Sequence, residues 1–289
     1  MPFQAMKDEK TVNGGASKKD RPTIAGSGIL VANCYDYPQY YDIAFQGYTW
    51  QEANFIETAC RKYCQFNVRR LLEPACGSGR LITEFAARGY QVTGFDLSRP
   101  ALSYLRQRLA RRRLDAETFQ GEMSYFRVDR AVDAAYCMGN TFRHLLTEQA
   151  ARAHLECIGV TLRLGGIYII GIRLLPLDVD TPEPATRWTE RRGETKVTLT
   201  QRVPYTDLRR RIEDVEVSVT TCRGSKQFRL RDKFQLRTYT ERQFRRLVAS
   251  VPLLELCDVY DFRYDIHRPL GPGDEIAYGL FVLSRRSVS

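Results

Sequence analysis

The run LLEPACGSGR, Leu71 to Arg80, places Glu73 two residues before a series of small residues at Ala75, Gly77 and Gly79, and Asp96 closes the next apolar run, VTGFD. An apolar run, a turn of small residues and the helical pattern LITEFAARG describe a strand, a tight turn and a helix N-terminus. Glycines let a ligand approach such a turn closely because no Cβ blocks the backbone. A carboxylate about twenty residues further on is where a doubly wound sheet sets an acceptor for ribose hydroxyls. The pattern therefore points to a nucleotide-like ligand. It is not the dinucleotide fingerprint, because Ile82 occupies the third glycine position.

Glu73-x-Ala75-x-Gly77-x-Gly79 resembles the first motif of class I S-adenosylmethionine-dependent methyltransferases, with alanine in the first glycine place. Three further motifs follow in order: Leu97 with the helix after it, the segment FQGEM from Phe119 to Met123, and VDAAYCMGNTFRHL from Val132 to Leu145. GNTFRHL is similar to the GNS-x-x-HL of glycine N-methyltransferases. The resemblance spans about residues 35 to 175. It implies a doubly wound, Rossmann-like seven-stranded sheet whose last strand is antiparallel, with S-adenosylmethionine as cofactor. The cofactor contacts it implies are Glu73, Ala75, Gly77, Gly79, Asp96, Leu97 stacking on adenine, Glu122 at the adenine amino group, and Met123, Met138 and Gly139.

The elements that position these residues carry their own signals. Ser98 is a natural N-cap with Pro100 in the first turn of the helix after Asp96. Thr240 and Gln243 form a capping box before ERQFRRLVAS, and Thr49 with Glu52 forms another before the helix that starts near Trp50. Residues 178 to 238 alternate polar and apolar side chains through three or four strands with turns near Gly193 and Gly224, an antiparallel β insertion. The domain reading is a disordered tail at 1–30, a helical lid at 31–66, a methyltransferase core at 67–177 and 239–289, and the insertion at 178–238. This order is similar to glycine N-methyltransferases and aminosugar N,N-dimethyltransferases, in which the insertion covers the acceptor pocket or builds a subunit contact. A homo-oligomer is consistent with either.

Methyl transfer from a sulfonium is an in-line displacement, so alignment of the acceptor supplies much of the rate, about 7–11 kcal/mol in favourable cases. A neutral amine needs little further help, whereas a hydroxyl needs a base or metal. The expected acceptor is therefore a small molecule, with nitrogen preferred over oxygen. Of three histidines, His144 lies just past the fourth strand, at the ligand end of the sheet, and is the best base or positioning residue. His267 is the runner-up, and His154 is read as a surface or packing residue. Among Tyr35, Tyr37, Tyr40, Tyr41 and Tyr48, the pair flanking YDIAFQG, Tyr41 and Tyr48, is expected to touch ligand.

Composition narrows the alternatives. With 43% apolar and 27% charged residues in 289, the chain reads as a globular protein with one large core. No apolar run is long enough for a membrane span, and the start lacks the apolar stretch of a signal peptide, so a cytoplasmic protein is expected. Eight scattered cysteines without a Cys-x-x-Cys pair read as free thiols, and no metal site is expected. The net charge of +10 invites an RNA methyltransferase reading, but the arginines are dispersed along helices and strands and fit solvated faces better. A partner-binding module that retains only the cofactor fold is the non-enzyme alternative.

Overall fold

The computed structural model describes residues 23–25, 28–175, 185–271 and 273–287. Two short strands, β1 (Thr23–Ala25) and β2 (Ile29–Val31), lead through a 3-10 turn at Cys34–Asp36 to α1 (Pro38–Ala44), a second turn at Gln46–Tyr48, and α2 (Thr49–Tyr63). The alternating core follows as β3 (Arg70–Pro74), α3 (Arg80–Ala87), β4 (Gln91–Asp96), α4 (Arg99–Arg112), β5 (Glu117–Gln120), β6 (Val132–Cys137), α5 (Glu148–Thr161) and β7 (Leu162–Arg173). Four strands, β8 (Thr186–Arg192), β9 (Thr195–Asp207), β10 (Ile212–Arg223) and β11 (Lys226–Arg237), precede α6 (Glu241–Ala249), β12 (Leu254–Tyr260) and β13 (Tyr278–Arg285).

The core sheet has seven strands in the order β12-β13-β7-β6-β3-β4-β5. β13 runs antiparallel to both neighbours, and the pairings from β7 through β5 are parallel. Parallel strands covered on both faces must be apolar throughout, and β6 is buried at all six positions. One face packs α2, α3 and α4 through Phe55, Ile56, Ile82, Phe85 and Leu105, all at most 2% exposed. The other packs α5 and α6 through Leu155, Ile158, Phe244 and Leu247. Each such side chain contributes about 1.5–3 kcal/mol by leaving water. His154 is fully buried in this second layer, so it is a packing residue and not a surface one. Its Nδ1–H donates to the Met123 carbonyl at 2.9 Å, which leaves Nε2 to accept from the Tyr168 hydroxyl at 2.6 Å.

A second, six-stranded sheet has the order β1-β2-β11-β10-β9-β8. Its four long strands are the antiparallel ladder expected over the insertion; residues 178–184 of that range lie outside those described. The tail reading of 1–30 is different. Residues 1–22, 26 and 27 lie outside the described set, but Thr23–Ala25 and Ile29–Val31 are strands, and β2 pairs in parallel with β11 at Arg229, Leu230 and Arg231. Apolar ILV offers side chains to a sheet edge, a signal too short to read as a strand beside the polar run before it.

The caps at Ser98 and Thr147 accept from Ala101 N and Ala150 N, and the Thr240–Gln243 box is complete. The box read at Thr49 and Glu52 is absent. Tyr48 is the N-cap and makes no side-chain cap bond, and Glu52, 3% exposed, faces inward to pair with Arg80. A cap contributes about 1 kcal/mol, and the ion pair with half-buried Arg80 competes for the same carboxylate. All eight cysteines are free. Among the described residues no helix is long and apolar enough to cross a membrane, and no cluster of His, Cys, Asp and Glu could hold a metal ion.

Candidate active site

β3 delivers the chain to a turn in which Ala75, Gly77 and Gly79 take φ of 50, 55 and 68°. These are left-handed conformations open to glycine but costing an L-residue about 1–2 kcal/mol, so Ala75 carries strain in the place where a glycine would carry none. A Cβ on Gly79 would stand 2.1 Å from Leu105 Cδ1, whereas one on Gly77 would meet nothing within 4 Å. Gly79 is thus fixed by packing, and Gly77 faces the open side of the turn. Ile82 also finds its reason here. Gly94 on β4 is the small residue at the helix–strand contact, where a Cβ would lie 2.7 Å from Ile82 Cδ1. The bulk has moved to the helix and the gap to the strand.

Asp96 ends β4 with one oxygen accepting from Gly77 N and the other from Ser98 N, each at 2.8 Å. A carboxylate has about four lone-pair sites, so each oxygen keeps one for a ligand hydroxyl. Burial raises its pKa, and the backbone N–H groups work against that. Glu73, 8% exposed, faces the Tyr136 hydroxyl of β6, and neither its Oε2 nor that hydroxyl makes a hydrogen bond of good geometry among the described residues. Burial pushes the Glu73 pKa from 4.5 up to about 8, against the opposing field of Arg80. The folded chain therefore binds more protons than the unfolded one between these values, and stability falls as pH rises through that window, by an amount on the order of a few kcal/mol. Glu73→Gln should flatten the dependence. Thermal unfolding from pH 5 to pH 8 checks this, and equal slopes in the two proteins would refute a buried, protonated Glu73.

The next two strand exits continue the rim. Leu97 is 62% exposed, and its carbonyl accepts from Gln120 Nε2 at 3.1 Å. Because β5 ends at Gln120, Glu122 sits in a bridged turn with Tyr125, exposed, with Oε1 accepting from Ser124 Oγ at 2.6 Å. Met123, 8% exposed, is turned into the core. At the end of β6, Met138 is 5% exposed, and Gly139 and Asn140 are both left-handed, with φ of 65 and 67°. That double turn is locked by Asn140 Oδ1, which accepts from Arg173 N at 2.6 Å.

Beyond it the short 3-10 turn Thr141–His144 sends three side chains in three directions. Phe142 enters the core. Arg143, 2% exposed, pairs with Glu213 of β10 and donates from Nε to the Arg237 carbonyl at 2.8 Å. His144 Nε2 meets the Tyr35 hydroxyl at 2.9 Å. Tyr35 stacks obliquely on Tyr41 at 5.2 Å between centroids, and Phe234 of β11 lies 5.9 Å from Tyr35 and 5.4 Å from His144. This aromatic enclosure, with Arg143 beside it, pushes the His144 pKa down to about 4. The Tyr35 carbonyl also accepts from Ser98 Oγ at 3.3 Å, which seats the N-terminal segment over the residues after Asp96.

Of the expected residues, Glu73, Asp96, Leu97, Gly139 and His144 lie at or just past the carboxyl ends of β3, β4 and β6, and Tyr35 links His144 to Ser98, whereas Met123 is turned into the core. Tyr48 stands apart, 50% exposed, at the start of α2 near Tyr264. His267 is exposed in the loop after β12. Sequence reasoning chose Tyr41 and Tyr48 over Tyr35, which makes the contact to His144 across 109 positions. Phe234, Arg143 and Glu213 gave no local signal, since each acquires its role only from pairing between sheets.

Residues 71–166 match the family model of the methyltransferase domain. The chain is 30% identical over 100 residues to a dTDP-3-amino-3,4,6-trideoxy-alpha-D-glucopyranose N,N-dimethyltransferase of Streptomyces venezuelae, covering 35% of this chain and 40% of that protein. It is 32% identical over 124 residues to glycine N-methyltransferase of Oryctolagus cuniculus, covering 38% and 42%. The aligned part thus spans less than half the length of these relatives. A solved S-adenosylmethionine-dependent methyltransferase from Clostridium acetobutylicum superposes with a TM-score of 0.71 at 17% identity, over 88% of this chain and all of that one. The cofactor of the family is S-adenosylmethionine. The site fits it: a buried carboxyl oxygen at Glu73 without a hydrogen bond of good geometry, open space before Gly77 and two free acceptor positions on Asp96. Residues 71–166 are a methyltransferase domain, and the fold that carries them is that of the S-adenosylmethionine-dependent methyltransferases.

Proposed function

We propose that the protein methylates a nitrogen of a small molecule held between the N-terminal tyrosines and the inserted sheet. The observation that carries this reading is the Tyr35–His144 contact, where three separate parts of the chain converge: Tyr35 and Tyr41 from the N-terminal segment, His144 from the loop after β6, and Phe234 from the insertion. Aromatic faces at this place suit a cationic or amine-bearing acceptor. Two relatives with N-methyltransferase names support nitrogen over oxygen.

In this reading Asp96 holds the ribose hydroxyls, Gly77 and Gly79 allow the close approach, Leu97 covers the adenine, and Glu73 lies under the sulfonium end. When bound, the cofactor supplies an electrophilic methyl group on a sulfonium. The residues of the chain then have to align an amine lone pair and exclude water. His144 is suited to holding the amine and not to deprotonating it. An imidazole with a pKa of about 4 stays neutral at physiological pH, keeping an acceptor lone pair, but is a weak base for an ammonium proton. Tyr35 fixes which ring nitrogen faces the acceptor by engaging Nε2.

The test is transfer of labelled methyl from S-adenosylmethionine to a panel of small amines, including glycine and nucleotide-linked aminosugars. His144→Ala should lower kcat about tenfold or more on the true acceptor, through loss of its alignment, with cofactor Kd near its starting value. His144→Asn, which retains an acceptor, should lose less. Full turnover in both variants from pH 6 to pH 9 would remove His144 from the reaction and leave Tyr35 and Tyr41 as the residues to test.

A further inference from the structure

The outer face of the six-stranded sheet, turned away from α1 and Tyr35, carries a concavity of about 350 Å³. Hydroxyls line its floor, from Thr198 on β9 and Ser218 and Thr220 on β10. Arginines form its walls. Arg229 and Arg231 of β11 stand directly opposite Thr220 and Ser218 in the ladder, and Arg187 of β8 closes the other side. Strand alternation explains the arrangement: Val219 and Leu230 are buried against the inner layer with Cys34 and Ile43, so their neighbours in sequence point outward.

All three arginines are exposed, and among the described residues no carboxylate pairs with any of them. Glu216, the acid one step along the same face of β10, is already engaged by Arg202 and Lys233. Three like charges around neutral hydroxyls repel one another, and the missing partner is an anion. A single carboxylate accepts the fork of one guanidinium. Three guanidinium forks and three hydroxyls offer more donors than that, and match a group with several anionic oxygens. At one end Glu216 and then Asp214 close the basic stretch along β10, whereas Lys196 and Arg191 continue it toward the hairpin of β8 and β9. The volume of the concavity falls at the small-ligand end of pocket sizes, about 300–1,000 Å³.

We infer that this concavity is a binding site for a small phosphate-bearing molecule, separated from the methyl-transfer site by the thickness of the sheet. Inorganic tripolyphosphate is the probe, titrated by calorimetry into the full chain at ~150 mM salt, where long-range screening suppresses diffuse attraction. The unaltered protein should bind it saturably with a Kd of about 1 mM or tighter. The double variant Arg229→Gln/Arg231→Gln should bind at least tenfold more weakly. Arg242→Gln/Arg246→Gln, which removes the same charge from α6, should retain the original affinity. Cofactor affinity should be unchanged in both, which also reports that they fold. Absence of saturable binding, or an equal loss in the α6 variant, overturns the site. A single-stranded RNA oligomer whose affinity grows with length and depends on Arg229 and Arg231 overturns the small-molecule assignment in favour of a nucleic-acid backbone. Self-association that Arg229→Gln/Arg231→Gln abolishes, without tripolyphosphate binding, overturns it in favour of a subunit contact.

Discussion

Asp96→Ala should weaken S-adenosylmethionine binding by at least tenfold and, on the two hydrogen bonds at stake, by about 100-fold or more. Each charge-assisted bond from a ribose hydroxyl contributes about 1.5–3 kcal/mol, and every 1.4 kcal/mol is a factor of ten in Kd. The variant also loses the acceptor for Gly77 N and Ser98 N, so part of its effect is a looser turn. Asp96→Asn separates the two, because the amide oxygen keeps one backbone bond and one hydroxyl while removing the charge. Calorimetry on both variants, with thermal unfolding alongside, checks the result. Unchanged cofactor affinity in a folded Asp96→Ala protein would sink the assignment, whatever happened to its melting temperature.

Glu213→Ala should be among the most destabilising single changes in the chain, at about 3–5 kcal/mol. Arg143 and Glu213 are each 2% exposed and pair across the junction of the core loop with the inserted sheet, where Arg173 also approaches Glu213 at 3.5 Å. Removing the carboxylate leaves Arg143 as an uncompensated charge out of water. Arg143→Ala should cost less, because Glu213 keeps Arg173. The pair is not thereby a large net source of stability, since a well-packed apolar replacement of both is often neutral. Denaturant unfolding of the two single variants and the double variant gives the coupling energy directly. Less than about 1 kcal/mol for Glu213→Ala would mean that solvent reaches the junction and that the loop bearing His144 is not anchored there.

The turn after β3 and the end of β4 were legible because their requirements are local. Small residues at Ala75, Gly77 and Gly79 answer to backbone conformation, Asp96 answers to the end of a strand, and the caps at Ser98 and Thr240 answer to the first turn of their helices. The parallel sheet was expected from the resemblance that the ordered motifs carry, and the strands of the insertion from their alternation of polar and apolar residues. The acceptor side of the site was not legible in the same way. Tyr35 and Tyr41 are equivalent in composition to Tyr37 and Tyr40, and only the fold directs the latter two to Phe228 of β11 and not to His144. Glu52 read as a helix cap because the residue that claims it, Arg80, lies 28 positions away and is brought to it only by tertiary packing. His154 read as a packing or surface residue because burial of a lone histidine depends on finding both a carbonyl and a hydroxyl at the right distance.

The parallel pairing of β2 with β11 has a mechanical meaning. The stretch that carries Tyr35 and Tyr41 is fastened in the sheet at Val31 before it and packed on the core by α2 after it. Asp42, fully buried between Arg108 of α4 and Arg192 of β8, pins its middle. A segment tied at both ends and at Asp42 is an arch, free to bow in its middle but not to swing away as a whole. Cutting the chain between β2 and α1 would convert the arch into a swinging arm.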